Sequence, residues 1–65
     1  MRTREVKVGM WVWTRGTESG DWYLCHVLKP TDKGEWVLRS PEFARNVTRH
    51  ARELKRLKER RGIEP

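Results

Sequence analysis

The stretch Val8-Gly9-Met10-Trp11-Val12-Trp13-Thr14-Arg15 decides the fold that we predict for this chain. Its residues alternate and are rich in β-branched and aromatic types, a pattern that is typical of a strand. Alternation places Met10 and Val12 on one face and Trp11 and Trp13 on the other. We therefore expect one face to serve a core, while the other presents two indoles beside Arg15.

Length and charge limit what can surround this strand. The chain has 65 residues, which allows one small domain, predicted as a folded part over 6–57 and a basic tail over 58–65. Only 35% of the residues are hydrophobic, so the core must be small, and four tryptophans suit that need. The net charge is +6, which favours a polyanionic partner, most commonly nucleic acid.

Cysteine and histidine usage argues against a metal site. Cys25 is the only cysteine, so neither an intramolecular disulfide nor a multi-cysteine metal site can form. Cys25 lies in an apolar run and is expected in the core, while His26 and His50 are not at zinc spacing with it. We expect no cofactor, no metal and no membrane partner, and a reducing intracellular location, nuclear or cytoplasmic.

Turn residues divide the first two thirds of the chain into strands. Strands are predicted over residues 6–15, 22–28 and 35–39, with a glycine-bounded loop between the first two and a turn over residues 29–34 before the third. Short connections predict an antiparallel meander. Residues 1–5 are polar and are expected to fray.

The last third of the sequence has two interpretations. Ser40-Pro41-Glu42 is a good helix start, and apolar residues then recur at helical spacing, which predicts a three-stranded sheet plus one helix. Alternatively, residues 46–50 form a fourth strand and 51–53 one turn of 3₁₀ helix. Residues 54–57 then form a fifth strand that closes a barrel.

The second interpretation is favoured by a resemblance. The segments "VGMWVWTR", "GDWYLCHVLKP", "GEWVLRSPEF" and "NVTRHARELKRL" resemble the small Src-homology-3-like barrel at the C-terminus of retroviral and long-terminal-repeat-retrotransposon integrases. Tudor-type barrels share the opening strand and the "WY…V" strand. The resemblance covers about residues 6–57, although the loop after the first strand and the "SPEF" stretch depart from it.

The resemblance implies an all-β, five-stranded antiparallel barrel that contacts DNA as part of a larger recombination protein. The residues that we predict to form its core are Val8, Met10, Val12, Tyr23, Cys25, Val27, Val37, Val47, Leu54 and Leu57.

Basic residues are dense in the last third of the chain, where residues 45–61 contain eight lysines and arginines against Glu53 and Glu59. This density suits phosphate contacts, although an ordinary solvated face would look the same. Flat indoles can stack on unpaired bases, and arginine can stack as well. The predicted nucleic-acid-binding residues are Trp11, Trp13, Arg15, Arg39, Arg45, Arg49, Arg52, Lys55 and Arg56.

The sequence does not resemble an enzyme. It has no glycine-rich phosphate loop, and Cys25 and His26, being adjacent on a strand, point to opposite faces. We expect a weakly sequence-specific module that binds nucleic acid, DNA in preference to RNA, and that belongs with other protein domains. The alternative is a protein-interaction module, either a docking domain or a Tudor-type methyl reader whose aromatic cage contains Trp22 and Trp36.

Overall fold

A computed structural model describes residues 1–57, so the predicted basic tail lies outside the described residues. The described chain forms five strands and two short 3₁₀ turns, at Thr3–Glu5 and Ala51–Glu53. The strands are β1 (Trp11–Arg15), β2 (Trp22–Pro30), β3 (Glu35–Ser40), β4 (Arg45–His50) and β5 (Leu54–Arg56).

All five strands belong to one antiparallel sheet with the order β4-β3-β2-β1-β5. The prediction of an all-β, five-stranded antiparallel fold is therefore confirmed. The sheet is not closed into a barrel, which corrects the expected closure: β4 and β5 lie at opposite edges and do not pair with each other. The turn at Ala51–Glu53 leads the chain to β1 instead, and β5 is only three residues long.

The helical interpretation of the last third is wrong, and the interpretation as strand, 3₁₀ turn and strand is confirmed. Ser40 does act as a cap, but for a turn, since its hydroxyl accepts a hydrogen bond from the Phe43 amide at 3.2 Å. Ala44 adopts a positive φ of 52°, which ends any helical course. The chain then pairs with β3 along all six residues of β4, from Arg45 to His50.

The core lies on one face of the sheet. Five predicted core residues are buried there, namely Val12, Tyr23, Cys25, Val27 and Leu54. Burying each of the larger aliphatic side chains stabilises the fold by about 1.5–3 kcal/mol. The remaining buried apolar residues are Val6, Trp36, Leu38 and Ala51, and the predicted Met10 and Val47 pack against the cluster while partly buried.

Three predicted core residues lie elsewhere. Val8 and Leu57 are 62% and 44% exposed, because β1 begins only at Trp11 and β5 ends at Arg56. Val37 is half-buried on the face of β3 that points away from the core. Its neighbour Leu38 pairs with buried Val27 and faces the core instead. Residues 36–38 are all apolar, so alternation alone does not show which of these side chains face the core.

The N-terminal segment is held to the sheet, which corrects the expectation that it frays. The Met1 ammonium donates a hydrogen bond to the Leu54 carbonyl at 3.0 Å. Glu5 forms an ion pair with Arg56, and Val6 is buried. The first residues of the chain therefore secure its last described strand.

Candidate nucleic-acid interface

The face of the sheet opposite the core concentrates aromatic and basic side chains, and we call it the outer face. Strand alternation and the observed register place the members of this face, which are half-buried or exposed. Its aromatic and basic members on β1, β2, β3 and β5, with Leu24 between them, are Trp11, Trp13, Arg15, Trp22, Leu24, His26, Arg39 and Lys55.

One row of the outer face crosses four strands. Trp11 pairs with His26, His26 with Arg39, and Arg39 with Asn46. Side chains opposite each other on adjacent antiparallel strands lie close enough to interact. The row therefore combines an indole, an imidazole, a guanidinium and a carboxamide in one line across the sheet.

Contacts within this row hold its aromatic end in place. The rings of Trp11 and His26 lie 4.7 Å apart between centroids with an interplanar angle of 31°. The Nε2 atom of His26 lies at hydrogen-bonding distance, 2.9 Å, from the Gly9 carbonyl oxygen. Trp11 nevertheless keeps 40% of its surface exposed. Its indole is thus supported on one side and accessible to a partner on another.

A second group surrounds Trp22 at the end of the sheet. The Arg15 guanidinium lies 5.8 Å and the Lys55 ammonium 5.1 Å from the Trp22 ring centroid. Such cation–π contacts contribute about 0.5–1 kcal/mol when exposed. Arg15 also donates from Nε to the Gly20 carbonyl at 2.7 Å, so its position is fixed by the loop. Two positive charges are thereby held beside one indole.

Arg39 brings a further positive charge to the middle of the outer face. Its Nη1 donates to the Asn46 Oδ1 at 3.3 Å, and the side chain is exposed. A guanidinium has five N–H donors, so this single bond leaves others for a phosphate or a base edge.

The predicted binding residues separate into two groups in the structure. Trp11, Trp13, Arg15, Arg39 and Lys55 come together on the outer face. The other four predicted residues do not join them. Arg45 and Arg49 lie on the side of β4 that faces the core. Arg52 lies in the second 3₁₀ turn, and Arg56 forms an ion pair with Glu5.

The predicted aromatic cage of Trp22 and Trp36 is not formed. Trp22 lies opposite Arg15 on the outer face, whereas Trp36 shares the inner face with Leu38 and is only 9% exposed. Two indoles on opposite sides of a sheet cannot enclose one ligand. Trp36 is a core residue, and Trp22 belongs to the outer face.

His26 is a polar residue of the outer face that is not among the predicted binding residues. Its alternation with buried Cys25 and Val27 was a usable signal, because it places His26 beside Trp22 and Leu24. Its contact with Trp11 depends on the register between β1 and β2, which the sequence did not specify.

Cys25 takes no part in the outer face. Burial raises the pKa of its thiol to about 11, an effect that the positive charge of Arg49 partly opposes. The thiol therefore stays protonated near neutral pH and behaves as an apolar core group.

Comparison with known protein families finds no family whose model matches this chain, and a search of curated proteins finds no relative. Within residues 1–57, no helix has the length and apolar character that a membrane span requires. The same residues contain no group of three or more acidic, histidine or cysteine side chains placed to hold a metal ion.

Proposed function

We propose that this domain is a non-catalytic nucleic-acid-binding module that holds unpaired bases and phosphates on its outer face. One observation carries the proposal: Trp11, Trp13 and Trp22 share a sheet face with Arg15, Arg39 and Lys55. One exposed and two half-buried indoles beside cations suit a single strand, whose bases can stack on aromatic rings while its phosphates meet positive charge.

The charge of the chain supports the same function. A net charge of +6 attracts a polyanion, and each phosphate neutralised by lysine or arginine releases counterions. Contacts of this type carry no base information, so sequence preference on the outer face is weak. The resemblance to integrase C-terminal barrels adds DNA as the preferred nucleic acid, a larger recombination protein as the setting and an intracellular location.

Removing the charge of the outer face tests the proposal. In the variant Arg15→Gln/Arg39→Gln/Lys55→Gln, we expect weaker binding to every single-stranded sequence. We also expect the slope of log affinity against log salt concentration to become less negative by about two, since each phosphate contact with a single strand contributes a slope of about −0.7. Fluorescence anisotropy with labelled single-stranded DNA, duplex DNA and single-stranded RNA of equal length measures both quantities.

A charge-matched control separates the outer face from net charge alone. Arg4→Gln/Lys33→Gln/Arg52→Gln removes three exposed charges from the turns between strands and near the N-terminus. We expect this control to change affinity less than the outer-face variant does. Equal losses in the two variants would contradict a defined interface, and an unchanged outer-face variant at every salt concentration would reject nucleic-acid binding there.

A further inference from the structure

A cavity lies at one end of the sheet, between the loop that joins β1 to β2 and the turn that joins β3 to β4. Its volume is about 290 Å³, and its walls are residues 16–19, Tyr23, Phe43 and Arg45. This volume is just below the roughly 300–1,000 Å³ that small-ligand sites occupy. It suits one planar ring system rather than an extended ligand.

Two aromatic rings form one wall of the cavity. Tyr23 and Phe43 meet edge to face, with ring centroids 5.2 Å apart and an interplanar angle of 85°. Phe43 is 51% exposed, although it is a large apolar side chain in a short turn. An aromatic side chain left open beside a cavity offers a flat surface against which a ligand ring can pack.

The Tyr23 hydroxyl is buried behind this wall. Tyr23 is only 5% exposed, and its buried hydroxyl has no hydrogen-bond partner within the described residues. Since the hydroxyl is buried, the cavity meets the ring of Tyr23 rather than its polar group.

The rim of the cavity supplies donors and acceptors together. The Arg45 guanidinium lies 5.7 Å from the Phe43 ring centroid, and the exposed Glu18 carboxylate lies at the loop. Arginine donates to base carbonyl and ring-nitrogen acceptors or to phosphate, whereas glutamate accepts from exocyclic amino groups. A nucleobase presents both kinds of group on one edge.

We propose that this cavity accepts one unpaired nucleobase of the strand bound on the outer face; this inference rests on the proposed function. Trp22 and Tyr23 are consecutive in β2, so the outer face and the cavity lie on the two sides of the same end of the sheet, and a bound strand reaches the cavity by passing around this end. Arg15 fixes the intervening loop through its bond to Gly20. The outer face supplies general affinity, and the cavity supplies base preference.

The alternative ligand is a methylated ammonium group, which also packs against aromatic rings. Arg45 argues against it, because its guanidinium already lies over Phe43 and would repel a second cation. A nucleotide instead gains from the same arginine.

A titration with mononucleotides tests the cavity directly. Adenosine, cytidine, guanosine and uridine 5′-monophosphates are added separately to the isotope-labelled protein, and amide shifts are followed by NMR. We expect at least one nucleotide to shift the amides of residues 16–19, Phe43 and Arg45, with affinities that differ among the four bases. Ribose 5-phosphate is the control, since it lacks the base.

Two variants connect the shifts to the residues of the cavity. Phe43→Ala removes a half-exposed ring, and we expect it to weaken the preferred nucleotide by about 5- to 150-fold, the range for losing one stacked base. Tyr23→Phe keeps the buried ring and removes only the hydroxyl. Because the hydroxyl is buried behind the ring, we expect this control variant to remain folded and to bind the four nucleotides like the parent.

The outcomes separate this inference from the proposed function. If single strands bind the outer face but no nucleotide shifts the cavity amides, the cavity inference is overturned and the proposed function stands. Equal shifts with ribose 5-phosphate, or shifts with trimethyl-lysine in place of nucleotides, overturn the inference as well. If nucleotides shift the cavity amides while single-strand binding does not depend on the outer-face charges, the cavity still binds a nucleobase. The proposed function then fails, and so does the connection between the cavity and a strand on the outer face.

Discussion

At the scale of single residues, Cys25 shows how a reactive group becomes inert through its position. It pairs with Val12 in the middle of the sheet and is fully buried. The raised pKa follows from this burial, because a thiolate would lose its hydration in the core.

The raised pKa makes stability depend on alkaline pH. The folded state keeps the Cys25 proton up to a pKa of about 11, whereas the unfolded thiol loses it near its ordinary value of 9.0. The unfolded state thus binds fewer protons above pH 9, and the free energy of unfolding must fall as pH rises towards 11. We expect a loss on the order of 2–3 kcal/mol from this group.

Urea unfolding at pH 7, 9, 10 and 11 measures this effect, with Cys25→Ala as the matched control. The alanine variant has no thiol to titrate, so the stability difference between the two proteins should shrink across this window. A constant difference from pH 7 to pH 11 would show that the thiol ionises equally in both states.

At the scale of elements, β5 depends on contacts beyond its own ladder. The strand has three residues, and the N-terminal segment adds the Met1 bond to Leu54 and the ion pair between Glu5 and Arg56. Glu5 also accepts from the Arg2 amide at 2.8 Å, which orients its carboxylate. The 3₁₀ turn at Thr3–Glu5 therefore acts as a brace for the edge of the sheet.

Replacing Glu5 by glutamine should weaken this brace. The amide keeps an acceptor for Arg2 but loses the charge that attracts Arg56, and both partners are partly exposed. We expect unfolding free energy to fall by about 0.5–1 kcal/mol, and by less in high salt. Urea unfolding and amide exchange of β5 measure the effect. Glu42→Gln, which changes the same charge in an exposed turn, should leave both unchanged.

Only some features of these elements were predictable from the sequence. The course of residues 46–57 was predictable as one of two alternatives, because strand and helix patterns overlap there. The phase of β3 was not predictable, since Trp36, Val37 and Leu38 are all apolar and only pairing with β2 selects between them. The edge position of β5 depends on its choice of β1 over β4, a long-range contact that local patterns do not encode.

The candidate site was predictable to a similar extent. Alternation in residues 11–15 correctly placed Trp11, Trp13 and Arg15 on one face. The dense run of arginines was a weaker guide, because β4 and β5 place Arg49 and Arg56 away from the outer face. The cavity beside Tyr23 had no sequence signal, since two loops that are distant in sequence create it.

At the scale of the whole molecule, we expect the aromatic surface to contribute more to the binding of single strands than to the binding of duplexes. Replacing Trp11 by alanine should weaken single strands by about 1–3 kcal/mol and duplexes by less, since only unpaired bases offer a free face for stacking. Trp11→Phe is the matched control, because it keeps a flat ring. Anisotropy with both substrates decides, and equal losses on single strands and duplexes would contradict stacking.

The sheet order also indicates the order in which the strands can pair during folding. Four of the five strands follow one another as hairpin neighbours, whereas β5 pairs with β1 across the longest separation, with Arg56 opposite Val12. Hairpins form early because closing a short loop costs little conformational entropy. Pairing β5 with β1 closes the longest loop and has the largest entropic cost, so it forms last. A ribosome must therefore release nearly all of the described chain before β1 gains its second neighbour. Until then, the strand that carries Trp11 and Trp13 is an open edge in the nascent chain.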